Sequence, residues 1–315
     1  MKLRQISCLA ILSTVMVFGL SCHRKDRKPE LTTPTSGEVL LYADESFSPV
    51  INPLLQVFNG IYSYATVSCK YLPETDILNA LLKFETPLIF TTRPLNTQEK
   101  EFFASRQYSP KENLVAMDAI ALIVHPSMSD SLISVGQIRD ILTGKIRTWS
   151  QLGYTSENDK IQVVFDHEGS GTVRFMIDSI CKGESFGPGL SALKGNQQVI
   201  DFIAANPGSM GVIGVSWICD SRDPVSLGYL KTIKVLKVSR TTPALPENSF
   251  LPYQAFIGNM SYPLFRGLFQ INAEPRNGLA SGFASFVCSS RGQRIILKTG
   301  VMPVYPIIRN VKITD

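Results

Sequence analysis

Apolar residues fall along this chain in short blocks whose spacing alternates between strand-like and helical. Val39 to Ala43 is a continuous apolar and aromatic run, the signature of a buried strand. Val50, Ile51, Leu54, Leu55, Val57 and Phe58 then share a broad helical face between Pro49 and Phe58, with Pro53 early in it. Thr66 to Tyr71 alternates, placing Val67, Cys69 and Tyr71 on one side of a strand. Ile77, Leu78, Leu81 and Leu82 mark the next helix. Pro87 to Thr92 predicts a third strand, and Asn96 with Glu99 three residues on predicts a capped helix start.

The rhythm continues to the end of the chain. Strands are predicted at Val115 to Val124, Ile161 to Phe165, Met210 to Val215 and Leu264 to Ile271. Helices are predicted around Val135 to Leu142, after Thr172 through Ile180, over Val199 to Ala205, and as one closing helix from Phe283 to Lys298. Such alternation implies an α/β architecture with largely parallel sheets. There is no internal repeat.

The first residues break this pattern and bear on the compartment. Lys2 and Arg4 precede an apolar stretch from Ile6 to Leu20, which ends in Ser21-Cys22. A basic start and a short apolar run ending at small residues is the layout of a secretory signal over residues 1–21, too short for a comfortable membrane span. Cys22 at the expected cleavage point reads as a lipid acceptor, although Gly19 stands where leucine is usual. Residues 22–37 are polar, basic at first and rich in Pro and Thr, and read as a flexible tether.

Charge and cysteine content narrow the partners. Lys and Arg total 31 against 26 Asp and Glu, and removing residues 1–21 lowers the net charge from +5 to +3. That is too mild for nucleic acid, and no basic run is interleaved with aromatics. Cys69, Cys181, Cys219 and Cys288 lack C-x-x-C spacing, so no metal site or cofactor is expected. They are either buried thiols or two disulfides of undetermined pairing.

The strongest chemical signal is Gly169-Ser170-Gly171-Thr172 between a predicted strand and helix. Glycines let the backbone approach a ligand, and N–H groups at the helix start converge with the Ser170 and Thr172 hydroxyls on one point, which suits a tetrahedral oxyanion. Asp44 to Ser48 and Thr91 to Pro94 are comparable junctions after other strands, and helix starts after parallel strands share one sheet edge. Arg93 is the cation best placed there by sequence. Catalysis is poorly supported: the histidines are His23, His125 and His167, and no G-x-S-x-G or H-E-x-x-H occurs. Asp166, His167 and Ser170 are too close in sequence to give the directed geometry of a triad.

Separated segments together resemble the substrate-binding components of bacterial phosphate ABC importers, which have the two-lobed type II periplasmic-binding fold. The segment from Ile138 to Trp149, with its Gly144-Lys145 turn, carries the most specific likeness. Glu168 to Thr172 resembles the family's phosphate loop, and Asn206 to Val212 its proline-glycine strand entry. Tyr262 to Arg266, Gly292-Gln293, Thr299-Gly300 and Pro303 resemble its closing segment.

The resemblance implies two lobes, residues 38–123 with 265–315 and residues 124–264, closing on an anion in the cleft between them. It implies a monomeric, non-enzymatic solute carrier in the periplasm or cell envelope, held to a membrane by its N-terminal lipid and serving a permease in the inner membrane. Its ligand would be inorganic phosphate or a similar oxyanion. Another small solute, or a sensing role without transport, are the alternatives. The implied ligand positions are Ser46, Phe47, Thr75, Thr92, Arg93, Asp166, Gly169, Ser170, Gly171 and Thr172. Departures from the family pattern concentrate here. Glu45 enters the first loop, and Pro73-Glu74-Thr75-Asp76 replaces a Ser/Gly cluster. Thr92 stands for a proton-accepting aspartate, and Asp166 for an arginine, a loss of charge that Arg93 is expected to make good.

Overall fold

The computed structural model describes residues 32–305. The signal-like segment, Cys22 and the first part of the expected tether lie outside the described residues. Within them, β1 (Gly37–Asp44), β2 (Ala65–Leu72) and β3 (Leu88–Thr91) lie parallel, with β1 in the middle. A 3-10 turn (Glu45–Phe47) and α1 (Ser48–Ile61) connect β1 to β2, α2 (Glu74–Leu82) connects β2 to β3, and α3 (Thr97–Ala104) follows. Asn96 caps α3 reciprocally with Glu99, as the spacing predicts.

The next strand, β4 (Lys111–Val124), is long because it belongs to two halves of one sheet. Its residues up to Ala119 pair antiparallel with β12 (Phe265–Asn272), and Ile120 onward pairs with β8 (Ser209–Gly214). β6 (Gln162–Phe165) and β7 (Leu190–Ala192) continue beyond β8 as parallel neighbours. The order is β2-β1-β3-β12-β4-β8-β6-β7. The sheet is therefore mixed rather than largely parallel. β4 leaves the first lobe and β12 returns to it alongside, so these two connecting strands must point opposite ways.

Two separate cores flank that crossing. One apolar cluster draws all its residues from Ala119 to Leu264, and contains β8, β6 and the faces of α4 (Val135–Leu142) and α6 (Asn196–Ala205). The other lobe is packed on both faces of its sheet. Leu88, Phe90 and Leu268 point to one cluster, and Ile89 and Ile271 to the other, following the period-two alternation of a strand buried on both sides. The site helix α5 (Gly171–Phe175) runs into a π turn over Met176–Ile180.

Two further expectations change, and one small sheet is added. The closing helix is two, α9 (Leu279–Cys288) and α10 (Ser290–Lys298), because Ser289 leaves the helical region and caps the second through the N–H of Gly292. Residues 32–36, expected within the tether, lie against the body, with the hydroxyl of Thr32 accepting from the N–H of Leu279. Short strands at Leu132–Ser134, Lys237–Ser239 and Ser249–Phe250 form a small sheet with no clear period in sequence. Cys69, Cys181, Cys219 and Cys288 are free thiols.

Two of the family-like segments meet physically. Gly144 ends the turn after α4 at φ +77°, and the chain then carries Trp149 into the core, where it is fully buried. Its indole N–H donates to the carbonyl of Gly208 at 2.7 Å, at the entry to β8. Trp149→Phe is expected to leave that carbonyl unpaired and to lower stability by about 1–3 kcal/mol. Urea unfolding should show a lower midpoint at unchanged slope; an unchanged midpoint would contradict the role given to this bond.

Candidate functional site

The crossing of the two lobes creates a narrow cleft at the C-terminal ends of β1, β3 and β6. From the first lobe come Asp44 at the end of β1 with Glu45 and Ser46 following it, Glu74 and Thr75 at the start of α2, and Thr91 at the end of β3 with Thr92 following it. From the second come Asp166 after β6, the Gly169 to Thr172 loop, Arg174 on α5 and Asn196 at the start of α6. Arg266, near the start of β12, projects between them.

Each carboxylate in this cleft is matched to donors. Asp44 is buried and accepts from the N–H of Ser46 at 3.0 Å, from its hydroxyl at 2.5 Å, and from the N–H of Gly171 across the cleft at 3.0 Å. Asp166 accepts from the hydroxyls of Ser170 at 2.6 Å and Thr172 at 3.2 Å, and from the N–H of His167. Glu74 accepts from the hydroxyl of Thr91 at 2.8 Å, from the N–H of Thr92 at 2.7 Å and from the Thr92 hydroxyl. Its other oxygen takes the Nε–H of Arg174 at 2.5 Å, and Arg174 also donates to the Thr92 hydroxyl. Glu45 accepts from the side-chain amide of Asn196 at 2.5 Å.

Arg266 is the most enclosed cation. It donates to Asp118 of β4 at 2.9 Å, to Thr172 at 3.2 Å and to Ser46 at 2.8 Å, and its guanidinium lies 5.1 Å from the centre of the Phe47 ring. A single side chain thus joins a connecting strand to a loop of each lobe. The lobes are in close contact: the N–H of Thr75 donates to the carbonyl of Gly169, and a Cβ added at Gly171 would lie 2.5 Å from Thr92. Glycine at that position is what lets the loop approach. A cavity of about 60 Å³ remains beside Asp44, Glu45, Tyr71, Asp166, His167 and Lys194.

The residues named from sequence divide accordingly. Ser46, Thr75, Thr92, Asp166, Gly169, Ser170, Gly171 and Thr172 meet at the cleft. Phe47 does not present its ring there: it is fully buried in the first lobe's core, beneath Arg266. Arg93 is not the cation that faces Asp166. Its guanidinium forms a two-pronged pair with Glu99 at 2.7 Å on each arm and also donates to the carbonyl of Pro94. The same Glu99 caps α3, so the cap and the ion pair fix Arg93 at the rim.

Arg266, Arg174 and Glu74 supply what that expectation lacked. The signal for Arg266 was available, since it shares a strand face with buried Leu268 and Gln270. For the other two, nothing in sequence says that α2 and α5 face each other. The neighbours Asp166, His167 and Ser170 form no relay: Ser170 donates straight to Asp166, while Nδ1 of His167 accepts from the N–H of Gly169.

Burial and mutual repulsion act on these acids. Asp166 is pushed up to about 6 by burial and then by the charge of Asp44, against the pull of Ser170 and Arg266. Glu45 is raised to about 7 by burial, with Asn196 opposing. Asp44 is raised by burial, with Arg266 opposing. Glu74 goes the other way: burial lifts it, but the Arg174 guanidinium and the Thr92 donors outweigh that and hold it below the usual carboxylate range.

Residues 28–291 match the PBP superfamily domain. The chain is 24% identical over 307 residues to the phosphate-binding protein PstS of Borreliella burgdorferi, covering 95% of this chain and 98% of that one. A Clostridium perfringens protein solved with bound phosphate superposes with a TM-score of 0.71 at 22% identity, over 85% of this chain and 100% of that one. An ABC-type phosphate transport receptor from Vibrio cholerae gives 0.63 at 20% identity, with 85% and 100% covered. These likenesses carry the two-lobed type II periplasmic-binding fold.

The raised acids fix the sign of a pH effect. Glu45 and Asp166 have ordinary values of 4.5 and 3.8, so between those and about 7 and 6 the folded chain holds protons that the unfolded chain has released. Stability therefore falls as pH rises through that window. The melting temperature is expected to be higher at pH 5 than at pH 8, and Glu45→Gln and Asp166→Asn should each flatten the difference. A flat profile in the parent chain would contradict the raised values.

Proposed function

The chain belongs to the PBP superfamily, and on that premise we propose that it is an extracytoplasmic solute-binding protein that captures phosphate or a related oxyanion and delivers it to an ABC permease. What carries this reading is the convergence of donors from both lobes on anionic oxygens. The N–H of Gly171, the hydroxyls of Ser170, Thr172 and Thr92, and the guanidinium of Arg174 all end on carboxylate oxygens in one cleft, and Arg266 beside them donates to Asp118 and to the Thr172 and Ser46 hydroxyls. Such a cleft has the chemistry of oxyanion capture: charge-assisted donors, backbone N–H groups and little water. The names of the Borreliella and Vibrio proteins point to the same solute. The role is binding and release, with no catalytic step.

The mechanism is closure. In an open form the Gly169 to Thr172 loop and the Arg266 guanidinium would take the anion first. The Thr91 and Thr92 donors of the opposite lobe would then complete its shell as the lobes rotate about β4 and β12. Solute shifts the equilibrium only through its greater affinity for the closed form.

Cys22 is proposed as the lipid-bearing mature N-terminus, from the basic start, the apolar run and the following polar stretch. No helix among the described residues is long and apolar enough to cross a membrane. Cys22→Ser should abolish incorporation of labelled fatty acid and release the chain into the soluble fraction. Retention of the variant at the membrane, with no label in the parent, would contradict the anchor.

Titration calorimetry with phosphate, using sulfate and a zwitterionic amino acid as comparators, tests the solute. Ser170→Ala is expected to weaken phosphate binding roughly ten- to a hundredfold, the worth of about 1.5–3 kcal/mol for a hydrogen bond to a charged group. Gly171→Ala should be more severe, because its methyl group meets Thr92 and holds the lobes apart. Phosphate binding unchanged in both variants would place the site elsewhere.

A further inference from the structure

Glu74 stands out because a side chain occupies the position where a bound solute's oxygens would be expected. Its carboxylate is buried, with 2% of the side chain exposed, although Arg174 is 32% exposed. One oxygen gathers the Thr91 hydroxyl and both donors of Thr92, all from the first lobe. The other takes Arg174 from the second lobe. The first oxygen also lies close to Gly171, since a Cβ built there would be 3.0 Å from it. Donors from both lobes are thus saturated by an anion that belongs to the chain.

We propose that Glu74 is a built-in occupant of the oxyanion site, whose carboxylate closes the cleft in place of a solute and must be displaced for an oxyanion to bind. The inference rests on the oxyanion-binding reading for the identity of the displaced solute; the latch itself rests on the contacts of Glu74 alone. It follows from elementary accounting of donors. A buried carboxylate and an incoming oxyanion cannot both take the N–H and hydroxyl of Thr92, they compete for the Arg174 guanidinium, and two anions side by side repel strongly where water is scarce. Glu74 sits at the first turn of α2, after Pro73. A change of its side-chain rotamer toward solvent would vacate the site without moving the helix.

The device sets a threshold as well as a shape. A solute carrier whose empty form is open samples solute freely, and closure reports capture. With Glu74 in place the empty form is already closed, so only an anion that outcompetes a tethered carboxylate is captured. The tether gives that carboxylate a high effective concentration. Selection then favours oxyanions that satisfy Arg174 and the threonine donors better than a carboxylate does.

Small-angle scattering on the purified chain and calorimetry with inorganic phosphate test this together. Ligand-free parent should be compact, with a radius of gyration that phosphate barely changes. Ligand-free Glu74→Gln should be larger, and should bind phosphate roughly tenfold more tightly or better, as a competitor bound by charge-assisted bonds is removed. Arg174→Gln, which cuts the latch from the other lobe, should also enlarge the ligand-free form. An unchanged radius in both variants overturns the latch. Enlargement with weaker phosphate binding in Glu74→Gln also overturns it, since Glu74 would then be a partner of the solute. Enlargement in both variants with no phosphate binding by any protein supports the latch and removes phosphate as the solute.

Discussion

The cleft depends on a fully buried guanidinium. Arg266 touches Asp118 on a connecting strand, Ser46 in one lobe and Thr172 in the other. Placing such a charge out of water is tolerable only with partners on all sides, and losing one member of a buried pair costs about 3–5 kcal/mol. Asp118 has one oxygen on Arg266 and the other without a partner. The charge balance at the crossing therefore ties the connecting strands to a loop of each lobe.

From that constraint the acids around it become intelligible. Asp166 stands where the resemblance implied an arginine, so an anion lies beside the Gly169 to Thr172 loop. Arg266 and Arg174 then face Asp44, Glu74 and Asp166, and the cleft satisfies its own donors. Burial raises Asp44 and Asp166 toward their neutral forms, while Glu74 stays ionised because its cation and its threonine donors outweigh burial. Acids in one cleft are thus pushed in opposite directions, and Glu74, held low, is one of those that bridge the lobes.

Much of the fold was legible in the chain because burial imposes period. Val115 to Val124 and Met210 to Val215 read as strands since both faces of those strands are covered, whereas Val39 to Ala43 buries only one face fully and leaves Leu40 exposed. The mixed direction of the sheet was not legible, as nothing local tells β4 and β12 that they run side by side. The break at Ser289 was missed because the apolar pattern carries through it, while the capping hydroxyl gives only a local signal. At the site, the Gly169 to Thr172 loop was readable from glycine and hydroxyl chemistry. Arg93 drew attention as a cation next to a strand end, but Glu99, placed by the helix cap, claims it. Glu74 and Arg174 meet only when two lobes close, a distance of 100 residues in the chain.

The central claim is that one set of donors serves either the chain's own carboxylates or a solute, never both. A crystal structure of the parent chain grown with saturating phosphate tests it most directly. The expected result is a tetrahedral anion held by the Gly171 N–H, Thr92 and Arg174, with the Glu74 carboxylate turned away from Thr92 and Arg174 and Asp44 no longer holding the Gly171 N–H. Phosphate in the cleft while Glu74 still holds Thr91, Thr92 and Arg174 would contradict it.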